Sequence, residues 1–287
     1  MARYPRVIPR MDIKGPNLVK GIHLEGLRVL GKPEQFARHY YMHGADELLY
    51  MDVVASLYGR NSLLDIVTRT AQQIFVPITV GGGIRTLDDI RDALRAGADK
   101  VSMNTGALAN PGLIRDASRR FGSSTVVISI EAIKHGDGKY EAFCDNGRER
   151  TGIDAIEWAV QAAELGAGEL LVTAIDREGT GKGYDVELIR SISDAVSIPV
   201  IACGGAGELD HVSAALIEGK ADAVSMASML HYRSLQDFAF EPDEFAPEGN
   251  TMFLNNQAVP SWITDCEIED VKSHLAEHGI ETRSGVE

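Results

Sequence analysis

The chain contains one sequence twice, and this repeat limits the folds that it can adopt. Residues 77–105 read PITVGGGIRTLDDIRDALRAGADKVSMNT, and residues 199–228 read PVIACGGAGELDHVSAALIEGKADAVSMAS. The copies align without a gap from their first proline through their paired glycines, and a one-residue insertion in the second copy precedes the matching Ala-Asp. Because the copies lie almost half of the 287 residues apart, they indicate duplication of half a domain rather than a short solenoid unit.

Short apolar runs alternate along the chain with longer segments of helical period, which is the pattern of βα units around a parallel sheet. Eight such units, divided by the repeat, predict an α/β fold of the (β/α)8 TIM-barrel class with a two-fold half-barrel repeat. An open doubly wound sheet is the alternative. The strands are predicted at residues 6–13, 47–53, 76–81, 100–103, 125–132, 169–173, 200–203 and 223–226, and the helices at 33–43, 62–73, 87–96, 111–121, 153–165, 185–196, 209–218 and 267–278.

We expect residues 1–287 to form one barrel, with half-barrels at about 1–122 and 123–287. Two segments exceed a minimal barrel: a long loop predicted at 15–32 after the first strand, and an inserted loop at about 232–265 after the eighth. Loops of this length are usually functional or disordered. The inserted loop is predicted to be a surface decoration, a lid, or a contact with another subunit.

Charge and composition exclude several classes of protein. The 28 basic and 42 acidic residues give a net charge of −14, which argues against binding to nucleic acid or to an anionic membrane. The first residues have no apolar signal segment, and no run of about 18 apolar residues occurs, so a cytoplasmic location is expected. An anionic substrate must then be held locally, by backbone amides and a few basic side chains.

Cysteine and histidine spacing predicts neither disulfides nor a metal. Cys144, Cys203 and Cys266 are widely spaced and odd in number, so they form neither a disulfide framework nor a Cys-x-x-Cys knuckle. The eight histidines include no HExxH motif. We therefore expect no metal site and no cofactor.

Two acids stand at equivalent strand ends in the two halves. In a (β/α)8 barrel the active site lies at the carboxyl ends of the strands. Asp12 in IPRMDIK and Glu131 in VISIEAIK occupy matching places, so the repeat should set their carboxyls across the mouth of the barrel. Two opposed carboxyls suit general acid–base catalysis, because mutual repulsion can keep one of them protonated. The alternative is a solvated or capping role for each.

Glycine-rich turns follow two strands, and each is paired with a small polar turn about one βα unit later. Backbone N–H groups in such turns can hold a phosphate, and neighbouring strand-end loops build the usual phosphate site of a barrel. The alternative is ordinary turn chemistry, in which glycine supplies a positive φ. The candidate side chains and glycines at the strand ends are Asp52, Thr79, Gly83, Asn104 and Thr105 in the first half, and Asp176, Glu178, Cys203, Gly204, Gly205, Ala227 and Ser228 in the second.

Long specific strings then carry a resemblance to a known family. The chain resembles the cyclase subunits of imidazole glycerol phosphate synthases, of histidine biosynthesis, over most of its length. The strings that carry the resemblance are MDIKGPNLVKG, GADELLYMDVVAS, PITVGGGIRT, GADKVSMNTGAL, GIDAIEWAVQAAELGAGELLVTAIDREGT, GYDVELI, SIPVIACGGAG and VKSHLAEHGIETR.

The resemblance implies a lyase-type cyclase that needs no cofactor and works as a heterodimer with a glutaminase subunit. Ammonia from that partner, bound at the amino-terminal face, would cross the barrel. It would attack a formimino carboxamide ribotide that carries a phosphate at each end. Ring closure and cleavage would give imidazole glycerol phosphate and an aminoimidazole carboxamide ribotide.

The resemblance also implies roles for particular residues. Asp12 and Glu131 would be the catalytic pair, and Lys20 would lie on the loop over the substrate. One phosphate would bind at Gly83, Asn104 and Thr105, and the other at Gly205, Ala227 and Ser228. A charged ring at the amino-terminal face would gate ammonia, with two further residues lining or supporting its path. The ring residues are Arg6, Glu47, Lys100 and Glu169, and the path residues are Thr79 and Asp99.

Three positions depart from the family pattern. Glu131 and Glu178 stand where the family has Asp, and Arg10 replaces a small residue. Strand alternation places Arg10 inside the barrel, where a guanidinium needs an acidic partner. We expect Arg10 to pair with Glu131, to lower the pKa of Glu131 and to obstruct the ammonia path in part.

These departures leave two alternatives to the family reaction. One is a specialised relative that delivers ammonia to another acceptor, as in the amidation or amidination of surface sugars. The other is a non-catalytic protein that binds a phosphorylated metabolite and activates a glutaminase.

Overall fold

Eight parallel strands close into a barrel in the computed structural model, which describes residues 4–55, 63–238 and 259–283. The strands of the described residues are, in chain order, β1 (Arg6–Lys14), β2 (Asn17–Ile22), β3 (Glu25–Gly31), β4 (Leu48–Asp52), β5 (Ile78–Gly81), β6 (Lys100–Met103), β7 (Val126–Lys134), β8 (Tyr140–Cys144), β9 (Glu149–Asp154), β10 (Glu169–Ala174), β11 (Val200–Cys203) and β12 (Ala223–Met226). The barrel order is β1-β4-β5-β6-β7-β10-β11-β12, and parallel pairing of β12 with β1 closes it. The predicted (β/α)8 barrel is confirmed.

Helices surround the barrel, and most follow a barrel strand as predicted. In the described residues they are α1 (Pro33–Met42), α2 (Leu64–Ala71), α3 (Leu87–Ala96), α4 (Thr105–Ala109), α5 (Gly112–Phe121), α6 (Ala155–Glu164), α7 (Val186–Ala195), α8 (Leu209–Ile217), α9 (Ser228–Ser234) and α10 (Ile268–Glu277). The short helices α4 and α9 were not anticipated, although they follow equivalent strands in the two halves. Residue 62, the first of one predicted helix, lies outside the described residues.

Local sequence signals account for the helix boundaries. At α3, the Thr86 hydroxyl accepts a hydrogen bond from the Asp89 N–H, and the Asp89 carboxylate accepts one from the Thr86 N–H. This reciprocal capping box satisfies two N–H groups that would otherwise lack helical partners. Gly97 then ends the helix at a φ of 112°, which glycine adopts without the cost that a Cβ imposes.

The core is continuous because the barrel strands are buried on both faces. Every residue of β4, β11 and β12 is buried, as expected for parallel strands that are filled on the inside and covered by helices on the outside. The largest fully buried side chains include Trp158, Tyr40 and Tyr50. None of the helices in the described ranges has the length and apolar character that a membrane span requires.

The repeat also extends to features that the sequence pattern did not reveal. Each half opens with a long strand that continues into an antiparallel ribbon, β2–β3 after β1 and β8–β9 after β7. Each half also carries an aspartate that fastens the start of a barrel strand. The Asp99 carboxylate accepts from the Ile78 N–H at 2.9 Å, and the Asp222 carboxylate accepts from the Val200 N–H at 3.0 Å.

The structure differs from the sequence prediction in the two segments that were expected to be long loops, 15–32 and 232–265. Residues 15–32 form the β2–β3 ribbon, so the prediction of a loop there is wrong. In the predicted insertion at 232–265, residues 232–234 belong to α9, and 239–258 lie outside the described residues. Residues 259–265 return to the barrel, where the Thr264 N–H donates to the Gly207 carbonyl at 2.7 Å.

Candidate functional site

The two repeat-related acids lie at matching places, each where a barrel strand begins to pair with its ribbon. Asp12 of β1 pairs with Val19 of β2, and Glu131 of β7 pairs with Phe143 of β8. Both side chains are buried at the carboxyl end of the barrel. Each half therefore contributes one acid to the same end of the barrel, as the sequence predicts.

Arg10 pairs with Asp12 rather than with Glu131. Its Nε donates to Asp12 Oδ1 at 2.8 Å, and both side chains are almost completely buried. Its Nη1 reaches across the second half of the barrel, to 3.5 Å from Thr173 Oγ1 and 3.4 Å from Cys203 Sγ. The expected Arg10–Glu131 pair is therefore wrong. Residues i and i+2 of a strand share a face, so Asp12 is the nearer acid.

Glu131 titrates close to neutrality. Burial raises the pKa of this carboxyl from its ordinary value of 4.5 to about 7, and the nearby charge of Asp12 adds to that rise. The charge of Arg10 and hydrogen bonds from Gly147 and Asn104 oppose it; Asn104 Nδ2 donates to Glu131 Oε2 at 3.0 Å. The charge of Arg10 does lower the pKa of Glu131, as expected, but burial outweighs it and the net shift is upward. A carboxyl with a pKa near 7 can both donate and accept a proton at neutral pH.

The raised pKa of Glu131 predicts a loss of stability as pH rises. Between pH 4.5 and pH 7 the unfolded chain ionises this carboxyl while the folded chain keeps its proton. The free energy of unfolding should therefore fall by up to about 3 kcal/mol across that window. Urea unfolding at pH 5 and pH 7.5 measures this fall, and Glu131→Gln should remove it. An equal fall in the wild-type and Glu131→Gln proteins would contradict the assignment.

The first glycine-rich turn forms one side of a pocket beside Glu131. This first pocket is lined by Gly82, Gly83, Asn104 and Thr105, together with Asp52 and other neighbours. Gly82 has a φ of 94°, and a Cβ there would lie 2.3 Å from the Asp52 carbonyl oxygen. Only glycine fits at this position, so the backbone approaches the pocket without a side chain in the way.

The second glycine-rich turn forms an equivalent pocket beside Arg10. This second pocket is lined by Gly204, Gly205, Ala227 and Ser228, and also by Arg10, Glu178 and Cys203. Gly205 has a φ of 113°, and a Cβ there would lie 2.2 Å from the Gly183 carbonyl oxygen. The two pockets therefore combine glycine turns with the starts of α4 and α9, where N–H groups without helical partners point outward.

Lys20 and Glu178 form a second buried ion pair at the mouth of the barrel. Lys20 Nζ lies 2.5 Å from Glu178 Oε1, and both side chains are at least 95% buried. Lys20 comes from the ribbon of the first half and Glu178 from the turn after β10 in the second, so the pair joins the halves. Asp176, predicted at the same site, is instead exposed.

The charged ring at the amino-terminal end is present in the structure. Arg6 Nη1 contacts Glu47 at 2.7 Å and Glu169 at 3.1 Å, while Lys100 Nζ contacts the same two acids at 2.9 and 3.1 Å. Thr79 donates to Glu47 Oε1 at 2.5 Å. Asp99 is exposed, and its carboxylate accepts a hydrogen bond from the Ile78 N–H at the start of β5 rather than from a ring residue.

Two histidine pairs have the spacing of metal ligands, although neither belongs to a HExxH motif. His39 and His43 lie four residues apart on α1, and His274 and His278 lie four apart at the end of the chain. Each pair approaches an acid closely enough for the ligand atoms to share a metal ion. Spacing alone could have found both pairs, because residues i and i+4 share one face of a helix.

The comparisons with known proteins agree with this geometry. A protein-family profile described as "Histidine biosynthesis protein" matches residues 6–236. Similar proteins named "Imidazole glycerol phosphate synthase subunit HisF" occur in three bacteria. The protein of Legionella pneumophila is 60% identical over 205 residues, which are 71% of this chain and 97% of the relative. That of Thermosynechococcus vestitus is 49% identical over 235 residues (80% and 84%), and that of Alkaliphilus metalliredigens is 47% identical over 230 (80% and 91%).

Proposed function

The chain belongs to the histidine biosynthesis protein family, and from this premise we propose how its residues carry out the cyclase reaction of imidazole glycerol phosphate synthase. The function is that of a lyase-type enzyme of histidine biosynthesis. One observation carries the assignment of the site: a buried acid from each half of the barrel lies at the end that also holds two glycine-lined pockets. A protein that only bound a metabolite would have no need of the two acids.

Asp12 and Glu131 act as the acid–base pair. In the proposed reaction, the ammonia nitrogen bonds to the ketone carbon of the ribulosyl arm and to the formimino carbon, which closes the imidazole ring with loss of water. The bond from the formimino carbon to the amino nitrogen of the aminoimidazole carboxamide ribotide breaks, and that amino nitrogen takes up a proton as it departs. Glu131, with a pKa of about 7, can be present in either protonation state when the substrate arrives. Asp12, held by Arg10, stays in a fixed orientation beside it.

The two pockets hold the two phosphates of the substrate. Neither pocket needs a large net positive charge, because backbone N–H groups supply the hydrogen bonds. Arg10, which is paired with Asp12, borders the second pocket and not the first, so only the phosphate bound in the second pocket lies beside a guanidinium. We propose that this asymmetry orients the ribotide and that Lys20 leaves Glu178 to contact it.

We propose that residues 1–287 form a single barrel and that residues 259–265, which return from the insertion, lie beside the loops that border the second pocket. A Cβ on Gly181 would lie 2.4 Å from the Trp262 carbonyl oxygen, which shows how closely the returning segment packs on the turn after β10. Trp262 itself is half-exposed. We propose that this segment excludes water from the phosphate at Gly205.

The glutaminase partner binds the amino-terminal face, and ammonia passes the charged ring. Arg6 and Lys100 each bridge Glu47 and Glu169, so the ring is closed by four ion pairs. Aromatic side chains at strand starts nearby are exposed, with Phe75 82% and Tyr4 49% accessible. Exposed aromatic residues are typical of protein–protein contact sites.

Turnover of the ribotide with ammonium salt alone tests the proposed function. The purified chain should convert it to imidazole glycerol phosphate and aminoimidazole carboxamide ribotide without glutamine or a partner. Binding of the ribotide without turnover would instead favour the metabolite-binding alternative.

The partner site is tested by Phe75→Asp. Because Phe75 is 82% exposed, the change should leave folding and ammonium-driven turnover intact. It should weaken association with the glutaminase by about 10-fold or more, since a charge replaces an aromatic contact. Glutamine-driven turnover and sedimentation of the mixed proteins measure this. The control for sedimentation is Ile22→Asp, at an exposed apolar residue of the β2–β3 ribbon at the carboxyl end of the barrel. Equal losses for both variants would contradict the proposed face.

A further inference from the structure

A second cluster of potential ligands lies on the outside of the barrel, where α1 of the first half meets the last helix, α10. His39 and His43 present their rings on one face of α1, with ring centroids 4.2 Å apart. Glu267 stands immediately before α10, and its Oε2 lies 3.2 Å from His39 Nε2 and 4.0 Å from His43 Nδ1. Nothing in the proposed cyclase mechanism uses these groups.

The distances between the ligand atoms are close to those found around a small divalent cation. One nitrogen from each histidine and one carboxylate oxygen of Glu267 all lie within 4.8 Å of one another. Ligands about 2.0–2.1 Å from a tetrahedral Zn²⁺ are about 3.4 Å apart. The His39–Glu267 distance already meets that value, and His43 needs a shift of about half an ångström. Glu269, 2.9 Å from His43 Nδ1, has a half-exposed side chain and would swing toward the ion to supply a fourth ligand.

The arrangement leaves one oxygen of Glu267 for a cation and partly buries the site. Arg233 Nε lies 3.4 Å from the other oxygen of Glu267, Oε1, and is itself neutralised by Asp237 at 3.0 Å. Oε2 therefore remains directed at the histidines. His39 and Glu267 are 10% and 14% exposed, and the rings of Tyr40 and Phe238 pack edge-on against His39. This partly apolar shell limits the competition from water.

We propose that His39, His43, Glu267 and Glu269 form a structural zinc site that joins α1 to α10. Two imidazoles and two carboxylates are a ligand set that suits Zn²⁺. A bound ion would fasten the final helix, which follows the insertion, to the first helix of the barrel. It would stabilise closure of the helical layer and take no part in the chemistry at Asp12.

Titration of the chelator-treated full-length protein with Zn²⁺ tests the site. Calorimetry should find one tight equivalent, and Zn²⁺ at 100 times its Kd should raise the Tm by about 5–10 °C. X-ray absorption of the bound zinc should show two histidine nitrogens and carboxylate oxygens. Absence of binding below about 100 µM Zn²⁺ would overturn the proposal.

Matched variants separate this site from the other histidine pair. His43→Gln should abolish the tight equivalent, and because His43 is one-third exposed the protein should still fold. The double variant His274→Gln/His278→Gln, which removes the pair beside Asp210, should keep it. Loss of the tight equivalent in the double variant, with retention in His43→Gln, would assign the zinc to the other pair and overturn the proposal.

Discussion

Replacing Asp12 with asparagine is expected to lower ammonium-driven turnover of the ribotide by at least about 100-fold, because an amide cannot exchange the proton that a catalytic carboxyl carries. The same change leaves the Arg10 guanidinium buried without its nearest counter-charge. Breaking one side of a buried ion pair costs about 3–5 kcal/mol. Glu178 also acts on Arg10 electrostatically, so we expect a loss of free energy of unfolding near the lower value. Steady-state turnover and urea unfolding measure the two effects.

A second variant separates catalysis from stability. In Arg10→Met/Asp12→Asn both charges are gone and the barrel interior stays filled, so most of the lost stability should return. Turnover should remain at the level of Asp12→Asn, because the carboxyl is still missing. If the double variant regains activity together with stability, Asp12 acts on the fold and not on the reaction. Retention of more than a tenth of wild-type turnover by Asp12→Asn alone would also contradict the catalytic role.

The repeat predicted the architecture because it fixes which strands are equivalent. The strings at 77–105 and 199–228 predict the two glycine-lined pockets, and the match of IPRMDIK with VISIEAIK predicts that Asp12 and Glu131 are equivalent. The structure has both pockets, and both acids are buried at the same end. The ribbons were missed because each is short and interrupted by turns, so its period is weak. The equivalent ribbons of the two halves also share no obvious sequence, and the repeat could not reveal them.

The partner of Arg10 could not be predicted from the strand pattern. Alternation shows that Arg10 faces inward, but it does not say which of two inward acids the guanidinium reaches. Asp12 lies two residues away on the same strand, whereas Glu131 lies on the opposite half of the barrel. The structure gives Asp12 the ion pair and leaves Glu131 with an amide donor from Asn104. This division explains why the two equivalent acids have different surroundings and can play different parts.

Replacing Glu178 with glutamine is expected to destabilise the protein by about 3–5 kcal/mol, because the Lys20 ammonium would stay buried opposite a neutral amide. In the wild-type protein the charge of Glu178 helps to raise the pKa of Lys20 above its ordinary value. A raised lysine pKa means that the folded state holds the proton more tightly than the unfolded state does. The stability from this pair is therefore fully present at neutral pH and is lost only as pH rises past the pKa of Lys20. Urea unfolding at pH 7 measures the cost.

The ion pair of Lys20 with Glu178 and the proposed contact of Lys20 with substrate are separable, and a double variant at the two positions distinguishes them. Lys20→Met/Glu178→Leu replaces the ion pair with apolar side chains and should unfold at a urea concentration close to that of the wild type. Despite this stability, it should bind the ribotide at least about 10-fold more weakly than the wild type, because the cation that we propose to contact substrate is gone. Glu178→Asp provides the matched control: it keeps the charge but shortens the reach, and should lose less stability than Glu178→Gln. Equal stability of the Asp and Gln variants would show that packing, and not charge, holds the two halves together at the mouth of the barrel.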